Sequence, residues 1–293
     1  MILTKNKYLI TTINNAISVA TNSNFHTITA TPTYGGDINQ TFKLKSNDQQ
    51  FFLKLQSGAP FNWFQQEFNG LLAIRATQTI DAPKPIVVSE FEDYQFLVLE
   101  YLQLTDTGDW HQYGEQLANL HKAQSNQQYG WVEDNYIGHT IQKNSRRDNW
   151  AEFFAFQRIG YQLELASCKG YTLAIPNQHI INSVHHHLVE HQPTVSLVHG
   201  DLWKGNMGFT IKEPVLFDPA CYYGDREVDL AMTELFGQLP EQFYRGYHTV
   251  YPIDNSYQQR KPIYNLYHLL NHLNLFGRCY LCPINNICTL ISS

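Results

Sequence analysis

Near residue 102 the apolar residues of this chain stop alternating in short runs and begin to recur at helical spacing. That change calls for a sheet in the first part and helices in the second. "FHTITATPTYGGDINQTFKLKSNDQQFFLKLQ" reads as strand, Gly-Gly turn, strand, polar turn, strand: a three-stranded antiparallel meander. Lys5 to Ala20, ahead of it, has helical spacing. "FNWFQQEFNGLLAIRATQ" places Phe64, Phe68, Leu71, Leu72 and Ile74 on a helical stripe with Glu67 beside it, and "PIVVSEFEDYQFLVLEYL" supplies two further strands around an acidic turn. Residues 1–102 are therefore expected to form a five-stranded antiparallel sheet with one inserted helix. Residues 103–293 are expected to form a mainly helical lobe, with helices over Trp110–Gln124, Trp150–Ala166 and His179–Glu190. The fold class is α+β in two lobes.

With 293 residues the chain can bury the core that such lobes require. A formal net charge of −6 gives no basic footprint, so no nucleic-acid partner is expected. "MILTKNKYLITTINNAI" lacks the apolar stretch and cleavage site of a signal peptide, and no window reaches membrane-spanning length, so a cytoplasmic protein with no membrane partner is expected. The sequence assigns no oligomeric state. Its five cysteines include isolated Cys168 and Cys221, a pattern of reduced thiols rather than a secreted disulfide framework. Cys279, Cys282 and Cys288 sit in "CYLCPINNIC", with His268 and His272 one helical turn apart upstream, a set that could ligate zinc. The six residues between His272 and Cys279 are fewer than the usual finger loop, and no second cysteine pair follows, so no metal is assigned there. His185 to His187 read as a solvated helix face.

The densest chemistry lies in "VSLVHGDLWKGNMGFTIKEPVLFDP", read as strand, loop, strand, turn, strand. Asp201 follows one apolar run, Asn206 comes five residues later, and Asp218 closes the next run. Two carboxylates and an amide are hard oxygen ligands, suited to magnesium that keeps its other positions for water and phosphate. H-x-D-x-x-x-x-N followed by an Asp one hairpin later resembles the catalytic loop and metal-binding Asp of protein kinases. In such a site the first Asp orients the attacking hydroxyl and accepts its proton, while the Asn and second Asp hold metal. Lys54, within the apolar strand "FFLKL", would serve the phosphates with Glu67 as its partner, since an unpaired ammonium is costly to bury. Gly35 and Gly36 of "TYGGDINQ" would cover the phosphates with backbone N–H groups. Backbone groups of Glu100, Tyr101 and Leu102 would meet an adenine edge. Each part also has a plainer reading: a strand Lys facing solvent, a hairpin Gly-Gly, a surface Glu. "FDPA" in place of D-F-G, with no A-P-E element, argues against a phosphorylation-controlled protein kinase and for a small-molecule kinase.

"HGDLWKGN" joined to "DPACYYGDREVDLAMTELFG", together with "GGDIN", "FFLKL", "EFNGL", "LVLEYL", "LANLH", "DNYIGHTIQKN", "WAEFF" and "YNLYHLLNHLNLFG", resembles the fructosamine kinase (ketosamine 3-kinase) family. These are relatives of aminoglycoside phosphotransferases within the protein-kinase-like fold. The resemblance implies phosphorylation of the 3-hydroxyl of a ketosamine by ATP with Mg2+, after which the product breaks down and frees the amine. It implies Asp201 as base, Asn206 and Asp218 as magnesium ligands, and Lys54 with Glu67 at the phosphates. Trp203 either lies against a sugar ring or is a core or lid aromatic. Among Asp225, Arg226, Glu227 and Asp229, one carboxylate such as Asp225 or Glu227 could accept the substrate's cationic amine. Arg226 and Asp229 read as structural ion pairs. Gln142, Asn144 and Trp150 are further substrate-side candidates. The cysteine-bearing tail departs from the plain amphipathic helix the resemblance implies.

Two rivals share the residues: a kinase for another small hydroxylated amine, such as an aminoglycoside, choline or homoserine, and a nucleotide-binding regulator without turnover. Retention of Lys54, Asp201, Asn206 and Asp218 argues against the second. The preferred sugar, and the choice between a free amino acid and a protein lysine, are not written in the sequence.

Overall fold

A computed structural model describes residue 3 and residues 6–33, 39–60, 62–123 and 126–292. The chain divides into two compact units, Met1–Gly108 with Gly208–Asp218, and Asp109–Met207 with Pro219–Ser293. The single boundary expected at 102 therefore falls later, and a segment from the second half of the chain returns to the first unit.

The first unit opens with helix α1 (Lys7–Thr21), whose N-terminus is capped by the Asn6 side chain accepting the Leu9 N–H at 3.0 Å. It ends at Asn22, in the left-handed conformation that asparagine tolerates better than most residues. Strands β1 (Thr29–Pro32), β2 (Gln40–Lys45), β3 (Gln50–Ser57), β4 (Pro85–Phe91) and β5 (Tyr94–Glu100) form one antiparallel sheet in the order β1-β2-β3-β5-β4. Leu9, Ile13 and Ile17 of α1 are buried with Phe42, Leu44, Leu53 and Leu55 of the sheet. Because strand side chains alternate, the neighbours Thr41 and Lys54, paired across β2 and β3, project from the opposite face. Helix α2 (Trp63–Thr77) packs against β4 and β5. The sequence reading of a five-stranded sheet with an inserted helix agrees with this. Strand β6 (Leu104–Thr105) pairs with a later hairpin of the same unit, given below. Gly35 and Gly36, expected to cover phosphates, lie outside the described residues.

The second unit is largely helical. It comprises α3 (Trp110–Ala123), the hairpin β7 (Asn135–Ile137) and β8 (Thr140–Gln142), helix α4, helix α5 (Asn177–Leu188), strands β9 (Ser196–Val198) and β12 (Tyr222–Gly224), and helices α6 (Glu227–Leu235), α7 (Glu241–Val250), α8 (Tyr257–Phe276) and α9 (Leu281–Ser292). Helix α4 runs through Trp150–Glu152, a π-helical stretch Phe153–Gly160 and Tyr161–Cys168. The hairpin β7–β8 was not expected from sequence, because three-residue strands are too short to display alternation. Strands β10 (Met207–Thr210) and β11 (Pro214–Leu216) form a three-stranded sheet in the order β11-β10-β6, whereas β9 pairs with β12. The three strands read around Asp201, Asn206 and Asp218 thus exist, but they belong to two different sheets. Among the described residues no helix is long and apolar enough to cross a membrane.

Candidate active site

In the first unit, Lys54 is only 4 % exposed, and its ammonium stands 2.7 Å from Glu67 Oε1 on α2 while also pairing with Asp218. Burial alone would lower the pKa of this ammonium; Asp218 and Glu67 outweigh it and hold the value well above the ordinary one. Burial pushes the Glu67 carboxyl up while Lys54 pulls it down. Asp218 occupies the left-handed region at φ 50°, a conformation costly for a residue other than glycine and concentrated at functional positions. Its side chain is 42 % exposed, so the carboxylate that meets Lys54 also reaches solvent. Of the backbone groups expected to meet an adenine edge, the Glu100 N–H is bound to the Lys84 carbonyl at 2.8 Å. The Lys43 ammonium lies 3.9 Å from the centroid of the Tyr101 ring.

In the second unit, the loop from His199 to Asn206 leaves β9. Asp229 on α6 accepts the backbone N–H of His199 at 2.6 Å and of Gly200 at 2.9 Å. Gly200 has φ 81°, and a Cβ there would stand 2.2 Å from the Ala220 carbonyl oxygen, so glycine is required between His199 and Asp201. The Asn206 amide nitrogen donates to the Asp201 carbonyl oxygen at 2.8 Å and to Asp201 Oδ2 at 3.3 Å. Asn206 is buried and Asp201 half-buried. Trp203 between them is 42 % exposed, and its indole lies over Gly205, where a Cβ would come within 2.3 Å of the ring. The reading of Trp203 as a core aromatic is thereby corrected.

Asp229 itself is buried. Burial acts to raise its pKa, but the His121 hydrogen bond, the charges of His121 and His199 and the Gly200 N–H hold the carboxyl below the usual range. The Nε2 of His121 lies 3.1 Å from this carboxylate, and its Nδ1 lies 2.8 Å from the Tyr247 hydroxyl. Arg226 donates to that hydroxyl and to the carbonyls of Tyr251 and Pro252. The structural role expected of Asp229 thus includes the backbone N–H groups of His199 and Gly200 as well as His121.

Several substrate-side expectations require correction. Asp225 is 1 % exposed and accepts hydrogen bonds from the Tyr264 hydroxyl at 2.5 Å, His191 Nε2 at 2.8 Å and the Glu227 N–H at 3.0 Å. Both oxygens of Glu227 pair with Arg260 at 2.7 Å. With these partners, both carboxylates are occupied and screened from a substrate amine. Gln142, 1 % exposed, donates to Asn135 Oδ1 and the Ala220 carbonyl and accepts from the Tyr267 hydroxyl. Asn144 joins the same network through Asn135 and Arg158. Trp150, 2 % exposed, packs on Phe153 and Phe154 and donates to Tyr264. These side chains form the buried polar framework of the second unit. His268 is buried. Among the described residues the one gathered set of potential metal ligands is His191, Asp225 and Glu227, whose Glu227 is already clamped by Arg260.

The sequence profile of the fructosamine kinase family matches residues 9–292. A Synechocystis sp. protein described as a ketoamine kinase is 47 % identical over 272 residues, covering 92 % of each chain. The crystal structure of a protein from Haemophilus somnus described as a fructosamine-3-kinase superposes with a TM-score of 0.90 at 28 % identity, covering 95 % of this chain and 96 % of that one. An aminoglycoside phosphotransferase mutant, in ternary complex with AMP-PNP and hygromycin B, shares the fold at a TM-score of 0.65 and 14 % identity, covering 91 % of this chain and 94 % of that one.

Proposed function

Because this chain belongs to the fructosamine kinase family, a family of phosphotransferases with a kinase-like fold, we propose that it transfers the γ-phosphoryl group of ATP to the 3-hydroxyl of a ketosamine. The phosphorylated product then breaks down and releases the amine. The observation that carries this reading is the buried Lys54 ammonium held by Glu67 and Asp218. A cation kept charged in a strand, with one buried partner and one partly exposed carboxylate, suits the polyphosphate of a nucleotide. Glu67 positions Lys54, and Lys54 meets phosphate oxygens. The AMP-PNP bound by the aminoglycoside phosphotransferase of the same fold supports a nucleotide as the donor.

The available donor atoms fit magnesium. Asp218 offers a carboxylate, and Asn206, whose amide nitrogen is taken by Asp201, offers its oxygen. These two residues would hold the ion, which neutralises phosphate charge when bound. Asp201 accepts the proton of the attacking hydroxyl, its backbone fixed by Asp229 through Gly200. Trp203 presents an apolar face suited to a sugar ring. The experiment is phosphorus and proton NMR of the product made from fructosyl-lysine and ATP. Coupling of phosphorus to the proton on C3 supports the proposal, and phosphate at another carbon overturns it.

A further inference from the structure

Arg158, in the π-helical stretch of α4, is 0 % exposed. Its guanidinium donates to the Lys143 carbonyl and, at 2.8 Å, to Asn144 Oδ1. It also lies 4.0 Å from the centroid of the Tyr222 ring and 4.6 Å from that of Phe153. A buried cation answered by neutral acceptors and ring faces is costly to keep, and π-helical turns recur at functional sites.

A guanidinium only donates. Asn144 therefore turns its Oδ1 to Arg158, which sends its Nδ2 to Asn135 Oδ1 at 2.7 Å. That oxygen also accepts from Gln142 Nε2 at 2.8 Å, so the Asn135 Nδ2 faces the Cys221 carbonyl, at 2.7 Å. Gln142 Nε2 donates in addition to the Ala220 carbonyl at 2.9 Å, and Gln142 Oε1 accepts from the Tyr267 hydroxyl of α8 at 2.9 Å. Burial pushes the pKa of that hydroxyl up, with Arg158 opposing and the charges of Tyr222 and Asp201 acting in the same sense, so it stays protonated and donates. Two donors, Arg158 and Tyr267, thus set the orientation of all three amides.

The network ends on the carbonyls of Ala220 and Cys221, which adjoin the loop of the proposed base. The Ala220 N–H donates to the His199 carbonyl at 2.9 Å, and Tyr222 pairs with Val198. A Cβ on Gly200 would stand 2.2 Å from the Ala220 oxygen and 3.3 Å from the Tyr222 ring. The backbone just before Asp201 therefore rests on the carbonyl that Gln142 grips and beside the ring that Arg158 covers. We propose that Arg158 and Tyr267 are positioning residues for Asp201, acting through the Asn144, Asn135 and Gln142 amides to seat Ala220 and Cys221 against His199 and Gly200. These roles rest on Asp201 being the base, and they belong to two buried residues outside the motif that carries it.

Two variants of the full chain test this. Tyr267→Phe keeps the ring and removes only the donor to Gln142; Arg158→Lys keeps the charge and loses the fork that orients Asn144. Hydrogen exchange read by mass spectrometry follows peptides over 197–202 and 219–223, with α7 as the reference, and steady-state kinetics use Mg-ATP and fructosyl-lysine. Exchange at His199, Gly200 and Ala220 should quicken by about 10-fold in both variants, with α7 unchanged. The kcat should fall by roughly 10- to 100-fold with KM for ATP unchanged. Wild-type exchange in these two peptides would overturn the proposal, as would equally faster exchange in α7 or a faster-exchanging loop with wild-type kcat. A wild-type chain without turnover would contradict ketosamine phosphorylation instead, and the exchange rates then decide by themselves whether Arg158 and Tyr267 seat the loop.

Discussion

The carboxylate of Asp229 accepts the backbone N–H of Gly200 at 2.9 Å, one residue before Asp201, so a buried acid on α6 fixes the main chain that carries the proposed base. His121 and Tyr247 hold that acid in turn. Replacing Asp229 by Asn keeps the size but replaces one acceptor oxygen with a donor. We expect Asp229→Asn to lower kcat by roughly 10²-fold through misplacement of Asp201, with KM for ATP little changed. Steady-state kinetics separate the two parameters, and a loss confined to KM would contradict the positioning role.

Asp201→Asn removes proton acceptance while preserving shape. Its kcat should fall by roughly 10²–10⁴-fold. Near-normal turnover in this variant would remove Asp201 from its assigned role.

Lys54→Met leaves Glu67 and Asp218 without their shared cation. Turnover should fall by about 10²–10³-fold, the scale seen when a single preorganised donor to developing charge is lost. Calorimetric titration with Mg-ATP reports on the same residue, and wild-type affinity together with wild-type turnover would exclude it from the phosphate site.

Arg260 and Glu227 form a bidentate pair whose side chains are only 10 % and 3 % exposed. Arg260→Met strands a buried carboxylate and should cost about 3–5 kcal/mol of stability, while Arg260→Met with Glu227→Gln should recover much of it. Denaturant titration measures both. An equal loss in the single and double variants would show that ion pairing is not what this corner contributes.

His268 is buried, and its pKa is held down to about 3 by burial and by His272, with Arg158 acting in the same sense and Asp229 opposing. The unfolded chain takes up a proton at this ring below about pH 6.5, whereas the folded chain does so only near pH 3. Stability is therefore lost as pH falls through that interval, by at most about 1.4 kcal/mol per pH unit from this one group. His268→Phe should flatten the decline of Tm between those limits. An unchanged slope would mean that His268 is not its source.

The sheet and the order of the site residues were legible in sequence because alternation in "FFLKL" and the spacing in "HGDLWKGN" are local signals. A buried Lys needs an acid, and Glu67 was the nearest candidate on the next helix; its 2.7 Å contact follows from how α2 packs beside β4 and β5. That Asp218 also pairs with Lys54, 164 residues earlier, is a long-range contact that spacing alone does not reveal. Asp225, Glu227, Gln142 and Trp150 misled for the opposite reason. Polar side chains in a motif look available for a ligand, yet His191, Arg260, Tyr264 and Tyr267, distant in sequence, occupy them in the fold. The π-helical stretch of α4 was hidden as well, since its apolar residues still satisfy a helical repeat.

The most direct test of the account is ADP release with Mg-ATP, comparing fructosyl-lysine, ribulosyl-lysine and unglycated lysine, with Asp201→Asn as control. The account predicts turnover with the glycated amines alone and its loss in the variant. Binding of ATP without turnover on either glycated amine, or equal turnover on unglycated lysine, would contradict ketosamine phosphorylation.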